Sequence, residues 1–206
     1  MVSALARTAN FATGSGVNET LLSEAQSLVE KVDGLAEELD IQDLVVSAWS
    51  LAKLPCGGGT SLWYVLNSGI DKSASSFSPQ QLANLAWSLA RVGRYDEPAW
   101  SSIAQEALRR VQHAAGAELS MTLWAFANHG AARERTFPQL FTSSAAIVQD
   151  KVNELSPTSL ANISWAFAKH GCDSSYDPSN MFSAICARAS QMVESFSGWE
   201  ISTIAW

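Results

Sequence analysis

Charged side chains are scarce in this 206-residue chain, at 16% of the total. That is too few for a coiled coil, while a hydrophobic content of 47% is too high for a disordered chain. Long apolar runs are missing, and none approaches the ~20 residues that span a bilayer, so no membrane association is expected. Cysteine is rare and odd in number: Cys56, Cys172 and Cys186 match no metal-ligand spacing and read as reduced thiols. There is no His-x-x-x-His, Cys-x-x-Cys or nucleophile-elbow pattern. Gly57-Gly58-Gly59-Thr60 lacks the lysine and the spacing of a phosphate loop and reads as a connector. Without a catalytic constellation, the expectation is a protein that is not an enzyme and holds no metal or cofactor.

Basic residues are also in the minority. The net charge of −7 and pI of about 4.9 weigh against a phosphate-gripping protein unless the charges are segregated by face.

What the chain does have is a repeat. A tryptophan-centred phrase recurs as Ala48-Trp49-Ser50-Leu51-Ala52, Ala86-Trp87-Ser88-Leu89-Ala90, Leu123-Trp124-Ala125-Phe126-Ala127 and Ser164-Trp165-Ala166-Phe167-Ala168. A fifth copy begins at Ile204-Ala205-Trp206. The tryptophans are spaced 38, 37, 41 and 41 residues apart. A period of this size is the mark of stacked supersecondary units.

Each phrase sits on a helix A with readable ends. Ser78-Pro79 and Ser156-Pro157 offer a hydroxyl cap followed by proline at the first helical position. Ser78 with Gln81, and Ser197 with Glu200, fit a capping box. Gly93, Gly130 and Gly171 fall where a left-handed C-terminal cap would sit, and Pro55 takes that place in the first copy. Amphipathic spacing predicts second helices over Glu97–His113, Thr136–Asn153 and Pro178–Ser195, a shorter one over Thr60–Ile70, and an earlier one over Asn18–Val32. The expected fold is all-α, a right-handed α-solenoid of helix-turn-helix units. Its boundaries are a degenerate repeat over 1–39, repeats over 40–77, 78–114, 115–155 and 156–196, and a truncated repeat over 197–206. Helix A of the last repeat lacks a partner helix, so the chain is expected to be part of a longer protein. Met1–Val17 holds no acid and one base, Arg7, among Ser, Thr and Ala. That is close to a transit-peptide composition with too few arginines, and reads alternatively as a degenerate helix around Ser3–Arg7.

Projecting helix A at 100° per residue from the tryptophan places large apolar residues at −5, −2 and +2 on one side. Beyond the tryptophan lie positions −7, −3, +1 and +4, which form a polar stripe. They read Gln42, Val46, Ser50 and Lys53, then Gln80, Asn84, Ser88 and Arg91. The third copy reads Ala117, Met121, Ala125 and Asn128, and the fourth Thr158, Asn162, Ala166 and Lys169. In three of the four copies a cation ends the stripe. Helices 78–92 and 156–170 contain no Asp or Glu, and most acids fall on B helices or linkers. Gln42, Lys53, Gln80, Asn84, Ser88, Arg91, Asn128, Thr158, Asn162 and Lys169 are therefore candidate contacts for single-stranded RNA, with amides on base edges and cations on phosphates. The plainer alternatives are that Asn84 and Asn162 satisfy a neighbouring turn and that the tryptophans pack in the core or at the groove edge. His129 and His170 share position +5, in the last helical turn, where positive charge suits the helix dipole.

The segments Ser78–Ala90 and Ser156–Ala168 resemble the octotricopeptide repeat, whose core reads Pro-Gln-x-Leu-Ala-Asn-x-x-Trp-Ala-Leu-Ala. The arrays of FAST-kinase-domain proteins, many of which end in a RAP domain, are similar. The resemblance runs from about Asp40 to Trp206, and is looser in the first and third copies, where Val46 and Met121 replace the asparagine. It implies binding of organellar transcripts, in mitochondrion or chloroplast, with effects on their stability, processing or translation. The competing expectation is an armadillo- or HEAT-like scaffold that takes a protein partner on its concave face.

Overall fold

A computed structural model of the chain describes residues 19–54, 59–130, 137–171 and 177–205. The expectations for Met1–Val17, Pro55, the Cys56–Gly58 loop, Thr136, Cys172 and Trp206 lie outside the described residues. Among the described residues there are ten α-helices, four short 3-10 turns and no strand. The helices are α1 (Glu19–Gly34), α2 (Ile41–Leu51), α3 (Thr60–Ser73), α4 (Pro79–Arg91), α5 (Glu97–Arg110), α6 (Gly116–Gly130), α7 (Pro138–Lys151), α8 (Pro157–His170), α9 (Ser179–Gln191) and α10 (Gly198–Ala205). The tryptophan-bearing A helices are α2, α4, α6, α8 and α10; α3, α5, α7 and α9 are their B partners. None of the helices is long and apolar enough to cross a membrane.

Each helix packs on its neighbours in sequence, and the two kinds of helix segregate. The A helices form one layer through successive α2–α4, α4–α6, α6–α8 and α8–α10 contacts, and α3, α5, α7 and α9 form a second layer in the same way. Small residues let the A helices approach closely: Ala83, Ala86, Ala90, Ala125, Ala127, Ala161 and Ala166 are all buried. Large side chains fill the space between layers, among them Trp63, Trp100, Phe126, Phe141 and Phe167, each at most 1% exposed. Perpendicular ring pairs such as Trp100–Phe126, 5.0 Å between centroids, interlock the two layers.

The helix ends follow the local chemistry. Ser78 and Gln81 form a reciprocal capping box, Ser156 Oγ accepts from Ser159 N at 3.1 Å, and Ser197 pairs with Glu200 in the same manner. Asp40 and Asp96 cap α2 and α5. Gly93 and Gly171 take φ of +70° and +79°, which a Cβ would disfavour. The B helices close in 3-10 turns, at Val111–His113, Val152–Glu154 and Val193–Ser195 about where the helices are expected to end, and at Ala74–Ser76 beyond that point. These turns hand the chain to the next A helix through extended Phe77, Ala114, Leu155 and Phe196. The B helix of the first repeat is correspondingly longer than its expected end at Ile70.

Two long-range devices lock the turns. Arg110, at the end of α5, donates to the carbonyls of Ser75 and Phe77 in the preceding repeat. Lys151, at the end of α7, donates to the carbonyls of Gln112 and Ala114, each displaced from the first pair by 37 residues. At the start of α3 the cap residue is Gly59, which has no side chain to offer. Asp33, from the end of α1, supplies the acceptor instead, taking the Leu62 N–H at 2.8 Å. A Cβ on Gly59 would collide with that carboxylate. Phe137, just before the proline that opens α7, is held at φ +63° and ψ +49°, and its ring meets Phe126 edge-on at 5.1 Å. A left-handed conformation costs a bulky residue about 1–2 kcal/mol, here offset by aromatic packing.

Candidate functional site

The inner A helices α4, α6 and α8 are enclosed on nearly every side, because each has an A neighbour on both flanks and a B helix behind. In α4, Leu82, Ala83, Leu85, Ala86, Ser88, Leu89 and Ala90 are all buried; Gln80, Asn84, Trp87 and Arg91, with Pro79 and Gln81 in the first turn, retain exposure. Pro79 and Gln81 aside, the open surface of α4 is therefore one row, positions −7, −3, 0 and +4, spaced as one helical face requires, whereas α2 also exposes Asp43 and α8 also exposes Ala168. The same row is open in α2 (Gln42, Val46, Trp49, and Lys53 just past its end), α6 (Ala117, Met121, Trp124, Asn128) and α8 (Thr158, Asn162, Trp165, Lys169). No acid occupies any of these sixteen positions.

This corrects the expected stripe in two respects. Position +1 does not belong to it: Ser88 is 0% exposed, and its hydroxyl donates back to the Asn84 carbonyl at 2.6 Å, so it cannot meet a ligand. Ser50, Ala125 and Ala166 are buried with it. The small residue is there for helix packing. Trp87, Trp124 and Trp165, in turn, pack against the core, as expected, and also keep part of their surface in the row. Trp87 and Trp124 stand 6.4 Å apart between ring centroids, tilted by 35°; Trp124 and Trp165 stack at 6.1 Å and 30°.

Equivalent positions meet along the layer at the N-terminal end as well as at the tryptophans. Gln81 Nε2 donates to Gln42 Oε1, and Thr158 Oγ1 donates to Glu200 Oε1 at 2.5 Å. In both cases residue −7 of one helix A meets residue −6 of the next. The A helices are thus parallel and in register, and their C-terminal ends share one edge. Gln42 and Thr158 give one hydrogen bond to the neighbouring repeat, which ties down two of the candidate contacts. The Thr158 hydroxyl first, and then the Ser197 amide and hydroxyl, hold the Glu200 carboxyl below its ordinary pKa.

Gln80, Arg91, Thr158 and Lys169 are exposed; Gln42, Lys53, Asn84, Asn128 and Asn162 are half-buried. The Lys53 ammonium lies 3.0 Å from the centroid of the Trp49 ring, one turn back on the same helix. Asn84 and Asn162 satisfy no neighbouring turn, since neither side-chain amide bonds a described residue. The shared C-terminal edge carries Lys53, Arg91 and Lys169, where cations complement the exposed helix carbonyls. His129 and His170 lie in the last turns of α6 and α8, as expected, and both are buried. His129 is 1% exposed among Tyr95, Trp100 and Phe137, and His170 stacks on Phe141 at 3.8 Å. Both belong to the core of the A–B turn.

The B layer offers a different feature, a cleft of about 650 Å³ between α5 and α7, with Leu108, Phe137 and Leu140 beneath Ser101, Gln105 and Gln139. Among the described residues no group of three or more His, Cys, Asp or Glu is placed to hold a metal ion. Compared with family models and with curated proteins, the sequence finds no match.

Proposed function

We propose that this chain is a right-handed α-solenoid that binds single-stranded RNA along the open row of its A helices, and that it acts by binding, without catalysis of its own. The observation that carries this reading is the row itself. It repeats in register through four helices, contains no acid, offers amides at Gln80, Asn84 and Asn162, and ends on one edge in Arg91 and Lys169. An aromatic line with hydrogen-bonding groups on one side and cations on the other suits a strand whose bases are unpaired. The net charge of −7 is compatible with this because acids lie off the row. The resemblance to octotricopeptide repeats supports the same reading and adds an organellar transcript, in mitochondrion or chloroplast, as ligand.

A second reading has its own support. The B-layer cleft and the acidic balance favour a scaffold that docks a protein partner through α5 and α7. Binding of a random single-stranded RNA pool across a salt series, with the Arg91→Glu/Lys169→Glu variant alongside, separates the two. RNA binding predicts salt-sensitive association that the double variant abolishes. Absence of binding at low salt overturns the RNA reading and leaves the scaffold.

A further inference from the structure

We infer that the tryptophan row is the spine on which the ligand lies, dividing a bound strand lengthwise, with phosphates over the Arg91–Lys169 edge and bases over the Asn84–Asn162 edge. This rests on the RNA reading above and assigns a role to side chains that sequence periodicity treats as packing.

The tryptophans of the B helices differ from those at the centre of the open row. Trp63 and Trp100, on B helices, are 1% and 0% exposed, and the Trp100 indole N–H donates to the Arg94 carbonyl at 2.9 Å. Trp87, Trp124 and Trp165 are half-buried in the open row, and their indole N–H groups have no partner among the described residues and are not enclosed. A buried indole ordinarily finds a partner for its N–H; these three leave it to whatever covers the row.

Their spacing makes them one surface. Packed helices stand about 8–10 Å apart between axes, yet the ring centroids are 6.4 and 6.1 Å apart. The indoles lean together and bridge the grooves between α4, α6 and α8. Centroid distances in this range belong to offset contact, which leaves the outer part of each ring open. A base or ribose can lie against such a surface whatever its identity, because every base has a π-face.

The parallel helices then put different chemistry on the two sides of the spine. Position −3 lies toward the N-terminus and +4 toward the C-terminus, so amides and cations form separate lines. With a rise of ~1.5 Å per residue, the lines are about 10 Å apart along the helix axis, a span comparable to a nucleotide from phosphate to base edge. The third repeat isolates the spine's own contribution. Ala117, Met121 and Asn128 carry no charge, and Trp124 sits between Trp87, tilted against it, and Trp165, stacked on it.

The test measures binding of four homopolymeric single-stranded RNAs against salt. Arg91→Gln/Lys169→Gln should reduce the steepness of log K against log salt by about 1.4, since each phosphate contact contributes about 0.7 on single strands. Asn84→Leu/Asn162→Leu should leave that slope unchanged and flatten the preference among the four RNAs. Trp124→Leu should weaken all four alike, roughly tenfold, with the slope unchanged. Fluorotryptophan NMR of the otherwise unaltered protein guards against a variant that fails to fold: RNA must shift the Trp87, Trp124 and Trp165 resonances and leave Trp63 and Trp100 in place. Salt-dependent RNA binding with no shift at those three, or with wild-type affinity in Trp124→Leu, overturns the inference while RNA binding stands. Absence of RNA binding by the wild type overturns both.

Discussion

Lys151 holds the turn that ends the preceding repeat: its ammonium donates to the Ala114 carbonyl at 2.8 Å and to the Gln112 carbonyl at 2.9 Å. Arg110 treats Phe77 and Ser75 in the same way one repeat earlier. A cation at the end of helix B thus closes each junction between these repeats, satisfying carbonyls that a 3-10 turn leaves open. Lys151→Met should lower stability by about 1 kcal/mol, a fall in Tm of roughly 2–4 °C, without changing helix content. Thermal unfolding followed by circular dichroism reads it, and an unchanged Tm would remove the staple from the account.

Gly59 and Asp33 form a second junction, in which the cap of α3 comes from the end of α1. Gly59→Ala should destabilise by about 1–3 kcal/mol, because the new Cβ displaces the carboxylate. Asp33→Ala should cost about 1 kcal/mol through loss of the cap alone. The double variant should be less unstable than the sum, since without the Asp33 carboxylate the methyl has room. Denaturant titration of the four proteins completes the cycle, and additivity would contradict the contact.

Ser88 separates the row from the core. With no exposure and its hydroxyl bound within its own helix, Ser88→Asn should destabilise by about 1–3 kcal/mol through overpacking. Asn84→Ser, in the row one turn earlier, should stay within about 0.5 kcal/mol of wild type. Equal effects at the two positions would mean that the boundary of the row is misplaced.

The Glu200 carboxyl is held below its ordinary pKa by the Thr158 hydroxyl and by the Ser197 amide and hydroxyl. A depressed folded-state pKa adds stability that is present above the unfolded pKa and lost as pH falls through the folded one. Glu200→Gln should therefore lose a small, solvent-screened stability that the wild type has above about pH 4.5, and flatten the decline below it, so that the two proteins converge at acid pH. Carboxyl-carbon NMR should show the Glu200 titration moving upward in Thr158→Val. No movement would assign the shift to Ser197 alone.

Much of the fold was legible because its determinants are local or periodic. The tryptophan spacing located the A helices, Ser78-Pro79 and Ser156-Pro157 located their starts, and Gly93 and Gly171 adopt the positive φ that their positions after the helix imply. The junctions were not legible. Arg110 and Lys151 act on carbonyls 33 to 39 residues away, and Asp33 caps a helix 29 residues on, so no sequence window contains both partners. The candidate face was read one position too wide. Position +1 lies 40° past −3 on the helical wheel, and whether that interval is open depends on how closely the neighbouring A helix approaches. The partial exposure of the tryptophans is not legible either, because a large apolar residue at helical spacing usually packs. Only the layer geometry distinguishes Trp124 from Trp100.

The central claim, that the A-helix row is the surface that meets RNA, is tested most directly by cross-linking. Single-stranded RNA carrying 4-thiouridine would be irradiated with the unmodified protein and the adducts mapped by mass spectrometry. The account predicts adducts on the segments bearing Trp87, Arg91, Trp124, Trp165 and Lys169. Adducts confined to α5 and α7 of the B layer would contradict it.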